Sequence, residues 1–340
     1  MRPFAYERAA GAEDALARHE DGARYLGGGT NLVDLMRLGV ETPSKLVDVT
    51  GLGHDRIERA RDGTLVIGAA VTNGDLAADR TVREEFPILA KAVLSGASGQ
   101  LRNLATTGGN LLQRTRCPYF QDASKPCNKR SPGTGCPARD GEHRNLAVLG
   151  HSDACVATHP SDMAVALAAL GASVRVLGRA GERTVPLGEF HRLPGDAPQR
   201  DTTLEPGDLV TAVVVPPLRM PAAYRKVRER ASFAFALVSV AAALDVDGER
   251  IRDARLALGG VAHKPWRAEA AEEVLRGAPA AAETFARAAE AELAAAEPLR
   301  DNAYKVPLAR NLIVQTLTEL AETPAEGPAE GPAEEPGEGR

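Results

Sequence analysis

The 340-residue sequence predicts an α+β protein in two parts, and two observations predict it. Up to Pro217, short apolar runs alternate with glycine-rich turns and helical segments. After Pro217, two long strands come first and Ala/Glu-rich helices follow. The change divides the chain into residues 1–220, residues 221–321 and a tail at 322–340.

The elements follow in order. "ARYLGGGTNLVDLMRLG", from Ala23, reads as a strand, a tight glycine loop and a helix. "KLVDVT" and "TLVIGAAVTNGDL" read as strands bounded by Gly and Asn. "FPILAKAVLSGAS" sets Ile88, Leu89, Ala92 and Val93 on one side of a helix. "SDMAVALAALGASVRVLG" reads as a helix ending near Gly171 and then a strand. "DLVTAVVVPP" is a strand stopped by a proline pair. Beyond it, "FAFALVSVAAALDVDGERIRDARLALGGV" predicts two strands joined by a turn at Asp247 and Gly248. Helices are expected at 267–276 and 280–296, and a last one from Val306.

Composition narrows the function. The net charge of −5 resides in residues 322–340, which hold six Glu and one Arg; the remainder carries 40 basic and 40 acidic side chains. A balanced body with one Trp offers neither the basic excess nor the stacking surface of a nucleic-acid protein. No apolar run approaches the ~18 residues of a membrane span. "MRPFAYERAA" lacks the apolar core of a signal peptide, so a cytoplasmic location is expected unless a signal-bearing partner carries the chain out. The tail, rich in Pro, Ala, Glu and Gly without large apolar side chains, is expected to be disordered and acidic.

Two glycine loops are candidate phosphate cradles. Leu26, Gly27, Gly28, Gly29, Thr30, Asn31 and Leu32 follow a strand, and glycines there let backbone N–H groups approach a ligand. Thr106, Thr107, Gly108, Gly109 and Asn110 repeat the ingredients: hydroxyls, paired Gly and an amide side chain. Either loop alone is an ordinary turn as readily as a cradle. The first lacks the third Gly of a dinucleotide fingerprint and the Lys of a P-loop, which argues against a Rossmann enzyme using NAD. Two such loops in one chain fit a dinucleotide held between two subdomains.

Together, "YLGGGTNLVDLM", "TTGGNLLQ", "HPSDMAVALAALGASV" and "DLVTAVVVPP…AAYRKVRERASFAFALVSVAAAL" resemble the FAD-binding medium subunit of the molybdenum hydroxylases, the xanthine dehydrogenase and carbon-monoxide dehydrogenase family. The resemblance runs from the N-terminus to about residue 320. It implies a two-subdomain FAD-binding fold of the PCMH/VAO-like type, followed by a C-terminal α+β domain. It implies that residues 26–32 and Asp34 line the pyrophosphate and ribose of FAD, with Thr106 to Asn110 completing the phosphate site. It also implies that Asp162 bonds the sugar or adenine end, and that Val210 and Lys226 lie near the flavin. A cation near the flavin N1–C2 edge would favour the reduced form. Read as bare residues, Lys226 is equally a solvated surface lysine and Asp162 part of a helix cap.

All four cysteines, Cys117, Cys127, Cys136 and Cys155, fall in or beside a segment at about 114–155, spaced C-x9-C-x8-C-x18-C. Three readings stand on the residues alone. Two disulfides are possible by count but sit poorly in a chain without an export signal. Zinc usually takes closely paired cysteines, which are absent, although His143, His151 or His159 can replace one thiol. A [4Fe–4S] cluster needs four converging thiolates; Pro118, Pro126, Pro137 and Pro160 would stiffen a loop wrapped around it, and Pro132, Gly133 and Gly135 would provide its turns. Most members of the family lack this insertion. "RTRCPYFQDASKPCNKRSPGTGCPA…SDACVATHPSD" resembles the version in bacterial periplasmic three-subunit aldehyde oxidoreductases, which implies that the four cysteines ligate a [4Fe–4S] cluster. Arg114, Arg116, Lys125, Lys129 and Arg130 either offset its charge or are merely solvated.

The resemblance thus implies an electron-transfer subunit of a molybdenum-dependent aldehyde oxidoreductase. A large subunit would carry the molybdenum cofactor and a small subunit [2Fe–2S] clusters, completing a heterotrimer. FAD on this chain would pass electrons to an external acceptor. In that setting the chain would be periplasmic by co-export with a signal-bearing partner. Rival readings are a 4-hydroxybenzoyl-CoA reductase flavin subunit, with electrons flowing the other way, and a non-catalytic four-cysteine scaffold. The sequence offers no catalytic base or nucleophile for aldehyde chemistry.

Overall fold

The computed structural model describes residues 1–323, so the expected acidic tail falls outside the described residues beyond Thr323. Three sheets organise the chain. Strands Ala5–Arg8, Lys45–Asp48 and Ala23–Leu26 form a small parallel sheet with Lys45–Asp48 in the middle. A five-stranded antiparallel sheet runs in the order Ile57–Arg59, Leu65–Gly68, Leu209–Val215, Ser173–Gly178 and Gly181–Pro186. A four-stranded antiparallel sheet runs Trp266–Arg267, Arg250–Gly259, Val238–Asp247 and Ala222–Val227. Helices cover the larger sheets, so the class is α+β.

Sequence dictates where each strand sits. Leu209–Val215 is nearly all apolar and forms the buried centre of its sheet. Ser173–Gly178 alternates buried with half-buried residues, showing only one face to the core. Gly181–Pro186 is exposed and polar and forms the edge. In Val238–Asp247 the period of two divides the side chains. Val238, Val240, Ala242 and Leu244 face the helices Glu269–Leu275, Ala282–Leu293 and Lys305–Glu322, whereas Ala241 faces the other core. The hairpin turns at Gly248, which takes φ +60°.

Helix Asp162–Ala169 is buried at all eight positions. Beyond Asp162 every residue is apolar, which means a helix packed on every side. It packs against helix Pro87–Ser95 on one side and strands Val238–Asp247 and Arg250–Gly259 on the other, joining the two halves of the chain. Its end is set by Gly171 at φ +67°.

Two readings change. The strand expected through "TLVIGAAVTNGDL" stops at Gly68, and helix Asn73–Ala78 follows. Thr72 caps that helix, its hydroxyl accepting from the Asp75 amide at 3.0 Å. Asn, Gly and Asp there are first-turn residues rather than strand punctuation. The second glycine loop is a short helical turn, Thr107–Leu111, whose N-cap Thr106 accepts from the Gly109 amide at 3.2 Å.

Candidate cofactor sites

A cavity of about 730 Å³ opens between the small parallel sheet and the five-stranded sheet. Both glycine loops line it: Gly27 to Leu32 from one side, Thr106, Gly108 and Gly109 from the other. Val210 lines it from the central strand. The loops are packed directly on one another. A Cβ on Gly28 would lie 1.7 Å from the Leu104 carbonyl oxygen, and one on Gly27 would lie 2.8 Å from Thr106 Oγ1. Gly29 takes φ +71°, which a side chain would strain.

Other expected residues stand behind this wall. Leu26 ends the strand that leads into the loop. Thr107 is fully buried and donates to the Val71 carbonyl at 3.1 Å. Asn110 Oδ1 accepts from Gln113 Nε2 at 3.0 Å and from Ser161 Oγ at 2.5 Å. Asp34 lies in helix Leu32–Arg37, within electrostatic reach of Arg116. Asn31 ties the first loop to the cysteine segment, its Oδ1 accepting from the Arg114 amide at 2.9 Å.

The cavity suits a polar ligand. Asn31 Nδ2 and His54 Nε2 are buried in its wall without a hydrogen-bond partner among the described residues. Buried polar atoms are normally satisfied, so two in one cavity wall point to ligand partners. Arg114, also in the wall, is bonded to Glu41 and, at 2.9 Å, to Asp201.

Asp162 and Lys226 come together away from this wall. Lys226 Nζ donates to Asp162 Oδ2 at 2.7 Å and to the Ser95 carbonyl at 3.0 Å. Tyr224 donates to Asp162 Oδ1 at 2.6 Å. The two charged side chains are 4% and 7% exposed, so Lys226 is not a solvated surface lysine. Ser161, not Asp162, caps the helix, its hydroxyl accepting from the Ala164 amide at 3.0 Å. Burial, followed by the adjacent Asp162 carboxylate, holds the Tyr224 hydroxyl well above its ordinary range. This cluster pins the end of helix Pro87–Ser95 to strand Ala222–Val227.

The four cysteines line one second, small cavity, together with Phe120 and Lys129. All are free thiols, with Cys136 half-buried and the other three buried. The segment is held by polar bonds rather than regular structure. Arg130 donates to the Tyr119 and Phe120 carbonyls at 2.9 and 2.6 Å, and Asn128 Nδ2 to the Ala154 carbonyl at 3.1 Å. Burial pushes the Cys117 thiol up to about 11 and Cys155 up to about 12. Metal binding here must therefore displace protons. Among the described residues, no three His, Cys, Asp or Glu side chains converge as ligands of a single ion would. His143, His151 and His159 bond elsewhere, to Ala138, Glu297 and Leu111 carbonyls. Four thiols lining one small cavity among apolar neighbours have the donor chemistry an iron–sulfur cluster requires.

Comparisons with known proteins give the family. Residues 2–218 match the model of the FAD binding domain in molybdopterin dehydrogenase, and residues 222–320 that of the CO dehydrogenase flavoprotein C-terminal domain. The chain belongs to the FAD-binding medium-subunit family of the molybdenum hydroxylases. It is 52% identical to the aldehyde oxidoreductase FAD-binding subunit PaoB of Escherichia coli K12, over 94% of this chain and 98% of that one. It is 28% identical to the glyceraldehyde dehydrogenase medium chain of Sulfolobus acidocaldarius, over 79% and 80% of the two chains. The structure of quinoline 2-oxidoreductase from Pseudomonas putida 86 superposes with TM-score 0.72 at 26% identity, covering 94% and 97%. This medium subunit is thus an oxidoreductase subunit with an FAD-binding domain.

Sequence reasoning missed Asp201, Tyr224 and His54. Asp201 lies in the polar stretch "PGDAPQRDTTLEPGD", which has no period to single it out. Tyr224 lies within the quoted "AAYRKV" with nothing local to mark its role, and His54 lies in no motif; only the fold brings Tyr224 to Asp162 and His54 to the cavity wall.

Proposed function

We propose that this chain is the FAD- and [4Fe–4S]-binding electron-transfer subunit of a molybdenum-dependent aldehyde oxidoreductase. In the proposed heterotrimer, a large subunit oxidises the aldehyde to the carboxylate at its molybdenum cofactor, and a small subunit carries [2Fe–2S] clusters. FAD, held by the two glycine loops, would supply two-electron transfer toward an external acceptor. The roles of this chain are to bind and to orient. The two glycine loops present amides and the Thr30 and Thr106 hydroxyls to the pyrophosphate, and Val210 packs beside the cofactor. Cys117, Cys127, Cys136 and Cys155 hold the cluster. Asp162 and Lys226 fix the junction between the halves of the chain.

The observation that carries the cluster reading is the gathering of all four thiols on one cavity from positions spread over residues 117–155. The likeness to an aldehyde oxidoreductase subunit at 52% identity supports the substrate class. Changing Cys127→Ser tests the ligand set. Iron and acid-labile sulfide, about four of each in the wild-type chain, should be lost while FAD is kept, because the two sites use different side chains. Full iron in the variant would remove Cys127 from the set, and stoichiometric zinc in place of iron would replace the cluster with a structural metal.

A further inference from the structure

Five cations flank the cysteines in sequence, and the fold separates them. Arg114 is committed to Glu41 and Asp201, and Arg130 to backbone carbonyls. Lys125 is exposed, and Arg116 lies over the Phe235 ring at 5.0 Å. Of the five, Lys129 alone lines the cysteine cavity.

Lys129 is 1% exposed at its side chain. Its ammonium donates to the Asp201 carboxylate and, at 2.7 Å, to the Pro198 carbonyl. Asp201 lines the large cavity. Two bonded side chains therefore run from one cavity to the other. A parallel connection exists: Arg114, in the wall of the large cavity, lies 4.7 Å over the ring of Phe120, in the wall of the small one.

A buried ion pair is costly unless its partners are well placed, and charges there act through a lower dielectric than water. A cation beside a redox group stabilises the state with the extra electron and so raises its reduction potential. Lys129 and all four cysteines line the same small cavity, so its charge lies against whatever group they hold. We propose that Lys129 raises the reduction potential of the group bound by the four cysteines, with Asp201 as its positioning residue. The pair thereby links charge in the cysteine cavity to charge in the flavin cavity. This inference rests on the cluster reading above and concerns its tuning.

The test is an EPR-monitored redox titration of the full-length chain, purified anaerobically, with iron counted in each sample. Lys129→Met should keep its iron and titrate at a lower midpoint potential, with about a tenfold shift in the reduction equilibrium, ~59 mV for one electron. Because that variant leaves the half-buried Asp201 without its ammonium, the double variant Lys129→Met/Asp201→Asn serves as a second measurement. It should also titrate below wild type, but by less. An unchanged potential in either variant at full iron overturns the link while leaving the cluster assignment intact. Loss of iron from both also overturns it, since the pair would then serve folding rather than tuning. Absence of iron from the wild-type chain overturns the cluster reading itself.

Discussion

Gly28 shows how much one residue's environment decides. Its glycine was legible as a site of close backbone approach, but the approaching group was not. The Leu104 carbonyl arrives from 76 positions away in sequence, at a place no local pattern marks. Gly28→Ala should therefore lose most of its flavin and unfold with about 1–3 kcal/mol less stability or worse. Gly99→Ala has open space at its Cβ and should change neither, so flavin content and urea unfolding of the pair isolate the effect. Lys305 was invisible in the sequence, since an ordinary helical lysine has no mark of burial. It is fully buried, donating to the Leu146 and Gly260 carbonyls at 3.0 and 2.7 Å. Burial, followed by Arg144, lowers it from an ordinary 10.5 to about 7. The folded chain then binds fewer protons at this group than the unfolded chain between those two values. The group therefore contributes rising stability as pH climbs from about 7 to 10.5, and its full cost below 7. Lys305→Met should lose that dependence. Wild type should gain on the variant by roughly a few kcal/mol between pH 7 and pH 10 in urea titrations, and a constant difference would contradict the burial argument.

At the scale of elements, the legible parts were those whose patterns are local. The buried strand Leu209–Val215, the hairpin through Gly248 and helix Lys305–Glu322 all follow from runs of apolar residues and their punctuation. "VTNGDL" misled because Asn and Gly end strands and also begin helices; Thr72, able to accept from Asp75, decides between them. Helix Asp162–Ala169 was legible as a helix, but its role as the wedge between the halves of the chain was not. Its cap does two jobs. Ser161 Oγ accepts from the Ala164 amide and donates to Asn110 Oδ1 beside the second glycine loop. Ser161→Ala should cost about 1–2 kcal/mol in denaturant unfolding, more than an isolated exposed cap, and Ser161→Thr should restore most of it.

Over the whole molecule, the two sites differ in how far sequence reached them. The glycine loops could be paired because their residue types match one ligand chemistry, and the fold does bring both to one cavity. The cysteines were countable, but their spacing left zinc, disulfides and a cluster open. Only the folded segment brings all four to a common cavity and sends His143, His151 and His159 to carbonyls elsewhere. Asp201, which joins the two sites through Lys129, is reached by the fold alone. The most direct test of the account is an absorption spectrum of the anaerobically purified chain before and after dithionite. The account predicts flavin bands together with broad absorbance near roughly 400 nm, both bleaching on reduction, as FAD and an iron–sulfur cluster require. A well-folded chain that shows no flavin, or flavin without the broad band, would contradict it.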